Sequence, residues 1–495
     1  MENILLGLHN ALMPMNLLWC LIGLSVGTLF GALPGFSATM AVAVMVPFSY
    51  VMEPQAALLM LSGVYCGGVY GGSIPAILVG IPGTPASAPT AMEGQALVRK
   101  GQSGQALGVC TFGSAFGGLL SAVALCFFSP LLAKVAMKVG APESVMIAIF
   151  GLSVVFMLSE GNMIKGTLIG FLSLLIGSMG QDPLNGFPRF TFGSSALIGG
   201  LSTVPIMIGI YSIPQVFDML RNADDGVGDI AVLGKFTVDI KAFFKNIGNV
   251  IRSALIGVGI GIVPAAGPDV GAFVSYNEAK KASKHPEEFG QGAIEGIIAS
   301  EVANNAVTGG SLIPLITLSI PGSAPAAIFL GAMILHGMRP GPLLFTTQAE
   351  SIYTLMVGFA VINIMLFVVG AVFCRFSNHI LRIPQRILAI LIVVLAVVGS
   401  YSINQNMLDV ITMFIAGIIG FLLGKRGFPM SPVALSLLLG NMLEQNLALT
   451  NTMYDSIFMI FTRPLTVVFF LIAVVSISFP FVRMFLAKRK SKASN

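Results

Sequence analysis

Gly71-Gly72-Ser73-Ile74-Pro75 followed by Ile81-Pro82-Gly83-Thr84-Pro85 is the first copy of a pattern that occurs twice. The second copy is Gly309-Gly310-Ser311 with Pro314, followed by Ile320-Pro321-Gly322-Ser323-Ala324-Pro325. Seven residues separate the two prolines in each copy, Pro75 to Pro82 and Pro314 to Pro321. Upstream, Gly31-Ala32-Leu33-Pro34 matches Gly261-Ile262-Val263-Pro264. Downstream, Ala91-Met92 to Arg99 echoes Ala332-Met333 to Arg339 more weakly. The pattern reads as an internal duplication that sets two polar, helix-breaking segments into an apolar chain.

How apolar the chain is decides its class. Hydrophobic residues make up 55% of it and charged residues 9%, against about 25% charged in soluble domains. Too little polar surface is left to cover a soluble fold of 495 residues with mean hydropathy +0.91. A polytopic, all-α membrane protein is expected. At about 20 apolar residues per span, the chain has room for roughly ten to thirteen segments, re-entrant pieces included. The net charge of +5 does not point to nucleic acid, because the cations sit in loops between apolar runs. Cys20, Cys66, Cys110, Cys126 and Cys374 form no Cys-x-x-Cys pair and read as small buried hydrophobes. The four histidines show no metal-ligand spacing.

Taken in order, residues 1–16 lack the basic cluster of a secretory signal. The chain then divides into a first membrane repeat with its following helices (1–213), a polar connector (214–249), a second repeat core (250–350), and C-terminal spanning helices with a basic tail (351–495). No Lys or Arg precedes Arg99, so the early loops are expected outside. The connector, the lysine-rich stretch Asn277 to Gln291 and the tail Lys488 to Lys492 are expected in the cytoplasm. Equivalent loops of the two repeats are thus unlike in charge. Val51-Met52-Glu53-Pro54 has no cation, whereas 277–291 carries Lys280, Lys281 and Lys284. This difference predicts repeats of inverted topology, each with a broken or re-entrant helix hairpin.

Proline lacks the N–H of the helical ladder and glycine relaxes the backbone. Two prolines and several glycines within about fifteen residues are therefore not expected to make a plain spanning helix. Non-helical backbone at membrane depth survives only when buried in protein or lining a watery cavity. The N–H groups freed at such breaks attract anions. Ser73, Pro82, Gly83, Thr84, Asn304, Asn305, Ser311, Pro321, Gly322 and Ser323 are accordingly the candidate substrate contacts. Gly72, Thr308, Gly310, Glu301 and Asp269 are candidates for ion coupling, since hydroxyls, carbonyls and carboxylates are ligands for hard cations. Neither segment holds Lys or Arg, so a co-bound cation, Na⁺ or H⁺, would supply the countercharge.

Each candidate has a plainer reading. Asp269 is also placed to cap a helix, and Glu301 to sit at a loop end in interfacial water. Asn441, Glu444 and Asn446 line a cavity or mark a helix end. Single glycines such as Gly113, Gly117, Gly417 and Gly420 are explained by helix packing, which does not account for a duplicated pattern with paired prolines. There is no phosphate-binding Gly-x-x-x-x-Gly-Lys loop, no Gly-x-Ser-x-Gly elbow and no His-Glu-x-x-His, so an enzyme is not expected.

The motifs resemble a known family. Gly71 to Leu78 with Ile81 to Ala86, Ser283-Lys284-His285-Pro286-Glu287 through Gly296, Glu301-x-x-Asn304-Asn305-Ala306, Ile320 to Ser323, Leu443-Glu444-Gln445-Asn446 and Thr462-Arg463-Pro464 are similar to the large membrane subunit of tripartite tricarboxylate transporters (TctA-like). The resemblance covers essentially the whole chain. It implies a multi-pass protein of the bacterial inner membrane with two partners, a small membrane subunit (TctB-like) and a periplasmic solute-binding protein (TctC-like). It further implies import of tricarboxylates, dicarboxylates or other organic acids by alternating access, commonly driven by Na⁺. Two positions depart from the pattern. Gly80 stands where relatives often carry asparagine, and Val307-Thr308 where small alanines are commoner. The alternatives are an anion-selective channel and, further off, an intramembrane enzyme. An inverted internal pair favours a carrier over a channel.

Overall fold

Prolines open many of the helices, because the first turn needs no N–H donor and the ring already holds φ near the helical value. The structure, a computed structural model, describes residues 2–33, 36–157, 163–182, 185–221, 234–264, 266–454, 456–475 and 478. Pro34 and the basic tail 488–492 lie outside them. α1 (Glu2–Ala11) and α2 (Pro14–Ala32) lead to Ser37, whose hydroxyl accepts the Met40 N–H at 3.1 Å and caps α3 (Ala38–Ser49). α4 (Pro54–Gly71) runs on into α5 (Ser73–Leu78). A 3₁₀ turn (Pro85–Ser87), α6 (Ala88–Arg99) and α7 (Ser103–Ala136) complete the first copy.

α8 (Ala141–Met157), α9 (Met163–Gly177) and α10 (Thr203–Arg221) follow, with a small antiparallel hairpin between the last two that pairs Gly180 with Arg189. After α11 (Ile240–Lys245), the second copy comprises α12 (Ile247–Ile262), α13 (Gly267–Ala282), α14 (Ile294–Leu318), α15 (Ala324–Leu335), α16 (Leu344–Thr347) and α17 (Ala349–Ile380). α18 (Gln385–Asn404), α19 (Met407–Lys425), α20 (Ser431–Met453) and a helix from Pro464 to Val475 follow.

The chain is an all-α polytopic membrane protein. Among the described residues, seven helices are long and apolar enough to cross a membrane, and six shorter apolar helices accompany them. Their outer faces are apolar: Ile387, Ile390, Leu391, Val394 and Val398 form an exposed stripe on α18. Water does not tolerate such a surface, whereas lipid does.

Both copies are packed in the same way. α2 lies beside α4 with Gly23, Gly27 and Gly31 against the backbone carbonyls of Met60, Val64 and Gly68. α12 lies beside α14 with Gly257 and Gly261 against those of Ala303 and Val307. In each pair the numbers rise together, so the helices are parallel and close, as small residues permit. The closing helix of each copy packs on the other copy's central helix, α7 on α14 and α17 on α4. α4 and α14 are antiparallel. Tyr65, Cys66 and Ser73 meet Ser311, Thr308 and Glu301 in turn, so one series climbs as the other falls.

Candidate functional site

The helical ladder survives the first half of each repeated segment. Pro54 to Leu78 is one run of helix, and Gly72 has helical angles (φ −59°, ψ −21°). α14 likewise passes through Gly309, Gly310, Ser311 and Pro314 without interruption. The sequence reading therefore needs correcting: Gly-Gly-Ser to the first proline is helix, and only Ile-Pro-Gly is a break. A proline presses on the carbonyl four residues back. Here that carbonyl belongs to a glycine, Gly71 or Gly310, whose missing side chain gives the backbone room to yield.

The helices end at equivalent positions, each at the residue just before Ile-Pro-Gly and five residues after the first proline: Gly80 (φ 76°) and Ser319 (φ 61°) are both left-handed. Val79 and Gly80 donate to the Pro75 carbonyl at 2.9 and 3.1 Å, and Ile320 donates to that of Pro314 at 3.2 Å. Glycine adopts this conformation without a side-chain penalty, which suits Gly80 to the turn. Ser319 bears a cost of about 1–2 kcal/mol for it and gains a 2.6 Å hydrogen bond from its hydroxyl to the Pro340 carbonyl.

Beyond the turn the chain folds back. Gly83 N–H donates to the Gly72 carbonyl at 3.0 Å. A side chain at Gly83 would strike the Gly31 carbonyl, and one at Gly322 would strike that of Gly261. The same additions would come within 2.8 Å of Gly72 Cα and 2.9 Å of Ser311 Cα. The prolines thus set the register, and Gly72 is the counterpart of Ser311. The two Gly-Gly-Ser serines are not equivalent, and they do different things. Ser73 donates to Glu301 at 2.6 Å, whereas Ser311 lies 3.1 Å from the Tyr65 hydroxyl, which also meets Ser323 at 2.7 Å.

A cavity of about 300 Å³ lies between the two breaks. Its wall includes five helix beginnings: Ser37 to Thr39 of α3, Thr84 to Ala86 before α6, Gly267 to Asp269 of α13, Ala324-Pro325 of α15, and Pro429 to Ser431 at the start of α20. The unpaired N–H groups and dipoles of such ends favour an anion. Asp269 is the one charged residue lining it among the described residues. Of the sequence candidates, Thr84 and Asp269 face this cavity, and Ser323 adjoins it as the cap of α15, accepting the Ala326 N–H at 3.3 Å. The Thr84 hydroxyl oxygen is buried without a partner. Ser37 and Tyr211 also line the cavity, and sequence reasoning missed both. Ser37 was legible as a cap before an apolar run, but Tyr211 lies inside one and gave no signal.

Four of the remaining candidates form a second cluster, joined by Ser73. Glu301, Asn304, Asn305 and Thr308 recur at intervals of three and four along α14, so they share one face of it. Glu301 is fully buried and accepts from Ser73 at 2.6 Å, Thr90 at 2.5 Å and Ser114 at 2.7 Å, with no cation paired to it among the described residues. The side chains of Asn304 and Asn305 are fully buried, and none of their four polar atoms has a partner. Thr308 donates to the Asn305 carbonyl at 2.5 Å. The Gly72 carbonyl already accepts from Gly83, and Gly310 packs against the Val258 backbone.

One buried carboxylate escaped the sequence reading. Glu93 on α6 accepts from Tyr276 at 2.6 Å, from Gly290 N–H at 2.7 Å, and from the N–H groups of Gly292 and Ala293 at 2.8 Å each. It thereby fastens the first copy to the loop that opens α14. Its partners, one hydroxyl and three backbone groups, lie about two hundred residues away and leave no trace in local sequence.

Paired interrupted helices around a buried polar cavity, within a shell of apolar spanning helices, define a membrane transport protein. Residues 17–435 match the family described as the tripartite tricarboxylate transporter TctA family, and the chain belongs to it. A relative from Agrobacterium vitis, described as an uncharacterized 52.8 kDa protein in the TAR-I ttuC' 3' region, is 39% identical over 90% of this chain and 89% of its own. A second from the same organism, described as an uncharacterized protein in the TAR-II ttuC' 3' region, is 38% identical over 38% of this chain and 78% of its own. No solved structure matches.

Proposed function

We propose that this chain is the membrane carrier of a binding-protein-dependent importer of organic anions, tricarboxylates or dicarboxylates, driven by Na⁺. It works in the bacterial inner membrane with a small membrane subunit and a periplasmic binding protein. The convergence of five helix beginnings on one cavity without a cation carries the reading, because such ends attract anions. The carboxylates of the substrate lie against the first turns at Pro85 and Ala324, with the hydroxyls of Thr84 and Ser323 beside them. Na⁺ takes the cluster of Glu301, Asn304 and Asn305, where a buried carboxylate without a cation adjoins four unpartnered amide atoms. Asp269 is a second coupling candidate.

The two copies act as inverted repeats and alternate access to the cavity. Two observations support this: α4 and α14 run in opposite directions, and the loops that open them differ in charge as the positive-inside rule requires. Glu53 then faces out and Lys281 in. Reconstituting the three components and measuring uptake of citrate, succinate and tartrate with Na⁺ or choline outside tests the reading. Saturable, Na⁺-dependent uptake that needs the binding protein is expected. Non-saturating flux would indicate a channel instead.

A further inference from the structure

A larger cavity, about 640 Å³, lies at the other side of the second break. Its wall includes Thr317 and Ser319 at the end of α14, Arg339 just beyond α15, and Asn441, Gln445 and Asn446 on α20. It sits at the Glu53 end of the molecule, where His336 meets Ser49 at 3.1 Å. We propose that this cavity is an entry site for the carboxylate substrate, with Arg339 as its cation. The proposal rests on the carrier reading above and adds a second, outer binding site to it.

Charge distinguishes this cavity from the inner one. Arg339 is its one charged lining residue, while Asp269 holds that place in the inner cavity. Other arginines at this end are occupied. Arg189 is paired with Glu444 and with Asp182 at 3.5 Å, and Arg463 is paired with Glu143 at 2.6 Å. Arg339 has no ion pair or hydrogen bond among the described residues. A guanidinium offers a rigid fork of donors that matches a carboxylate. Asn441 and Gln445, without side-chain hydrogen bonds among the described residues, supply further donors beside it.

The site is also held in place. Ser319 donates to the Pro340 carbonyl at 2.6 Å and Gly341 N–H to the Ile316 carbonyl at 3.1 Å, so the Arg339 loop is tied to the end of α14. The wall between the cavities is thin and buried. Ser319 lines the outer cavity, Ala324 and Pro325 line the inner one, and Ile320 to Ser323 lie between them fully covered. On α20, Leu438 faces the outer cavity and Leu435 the inner. An anion held at Arg339 thus waits one break away from the inner helix ends.

The test compares wild type, Arg339→Gln, Arg339→Lys and Asn441→Asp in the reconstituted complex, with citrate, succinate and tartrate as probes. Loss of one charged hydrogen bond should raise KM roughly ten- to a hundredfold in Arg339→Gln, leaving the maximal rate little changed. Arg339→Lys should recover part of the loss, and the carboxylate of Asn441→Asp should raise KM as well. Thermal stability and co-purification of the small subunit are measured alongside. Unchanged KM in Arg339→Gln overturns the proposal, as does a loss traced wholly to unfolding or to release of the small subunit. A wild-type complex that takes up none of the three acids contradicts the carrier reading itself, a different failure.

Discussion

Thr84→Val should move stability and transport in opposite directions. The residue is 5% exposed, its hydroxyl oxygen has no partner, and it stands at the cavity wall just before Pro85. A buried hydroxyl left unpaired costs about 1–3 kcal/mol. Valine has nearly the same shape and removes that cost, so the substrate-free protein should be at least as stable, by up to that amount. With an organic anion bound, the hydroxyl donates to a carboxylate. A hydrogen bond to a charged group contributes about 1.5–3 kcal/mol, which corresponds to roughly ten- to a hundredfold in affinity. Thermal unfolding in detergent without substrate reads the first quantity, and KM for uptake reads the second. Tm should be unchanged or higher while KM rises, and Thr84→Ser should behave as wild type in transport. A lower Tm with unaltered KM would refute the reasoning, because it would make Thr84 a structural residue that never touches the anion.

Ser323→Ala removes the α15 cap and the Tyr65 contact; a loss of about 1 kcal/mol in stability is expected, together with reduced uptake. Glu93→Ala strands the N–H groups of Gly290, Gly292 and Ala293, so it should destabilise by more than about 3 kcal/mol, seen as a large drop in Tm. Cysteines placed singly at Glu53 and Lys281 should label from opposite sides of intact vesicles, and labelling from one side would remove the inverted arrangement.

The class of fold was legible because lipid leaves few options: apolar runs become helices, and prolines mark where they start. Ile81-Pro82-Gly83 and Ile320-Pro321-Gly322 were legible as breaks for the same reason. Pro75 and Pro314 were misread, since nothing in the local sequence says that a glycine four residues back lets a helix absorb its proline. The pairing of Gly72 with Ser311 was likewise hidden, because matching Gly-Gly-Ser by eye shifts the two copies by one residue. The division of the candidates into a cavity wall (Thr84, Asp269, with Ser323 beside them) and a buried cluster (Glu301, Asn304, Asn305) depends on which face of α14 meets α5 to α7. That is a tertiary fact. Glu93 and Arg339 take their meaning from residues distant in sequence, and only the folded chain brings them together.

The most direct test is an experimental density map of the complex with a bound organic acid. The acid should lie between the first turns at Pro85 and Ala324, with both Ile-Pro-Gly segments unwound around it. An acid bound elsewhere, with those segments running as continuous helix against lipid, would contradict the account.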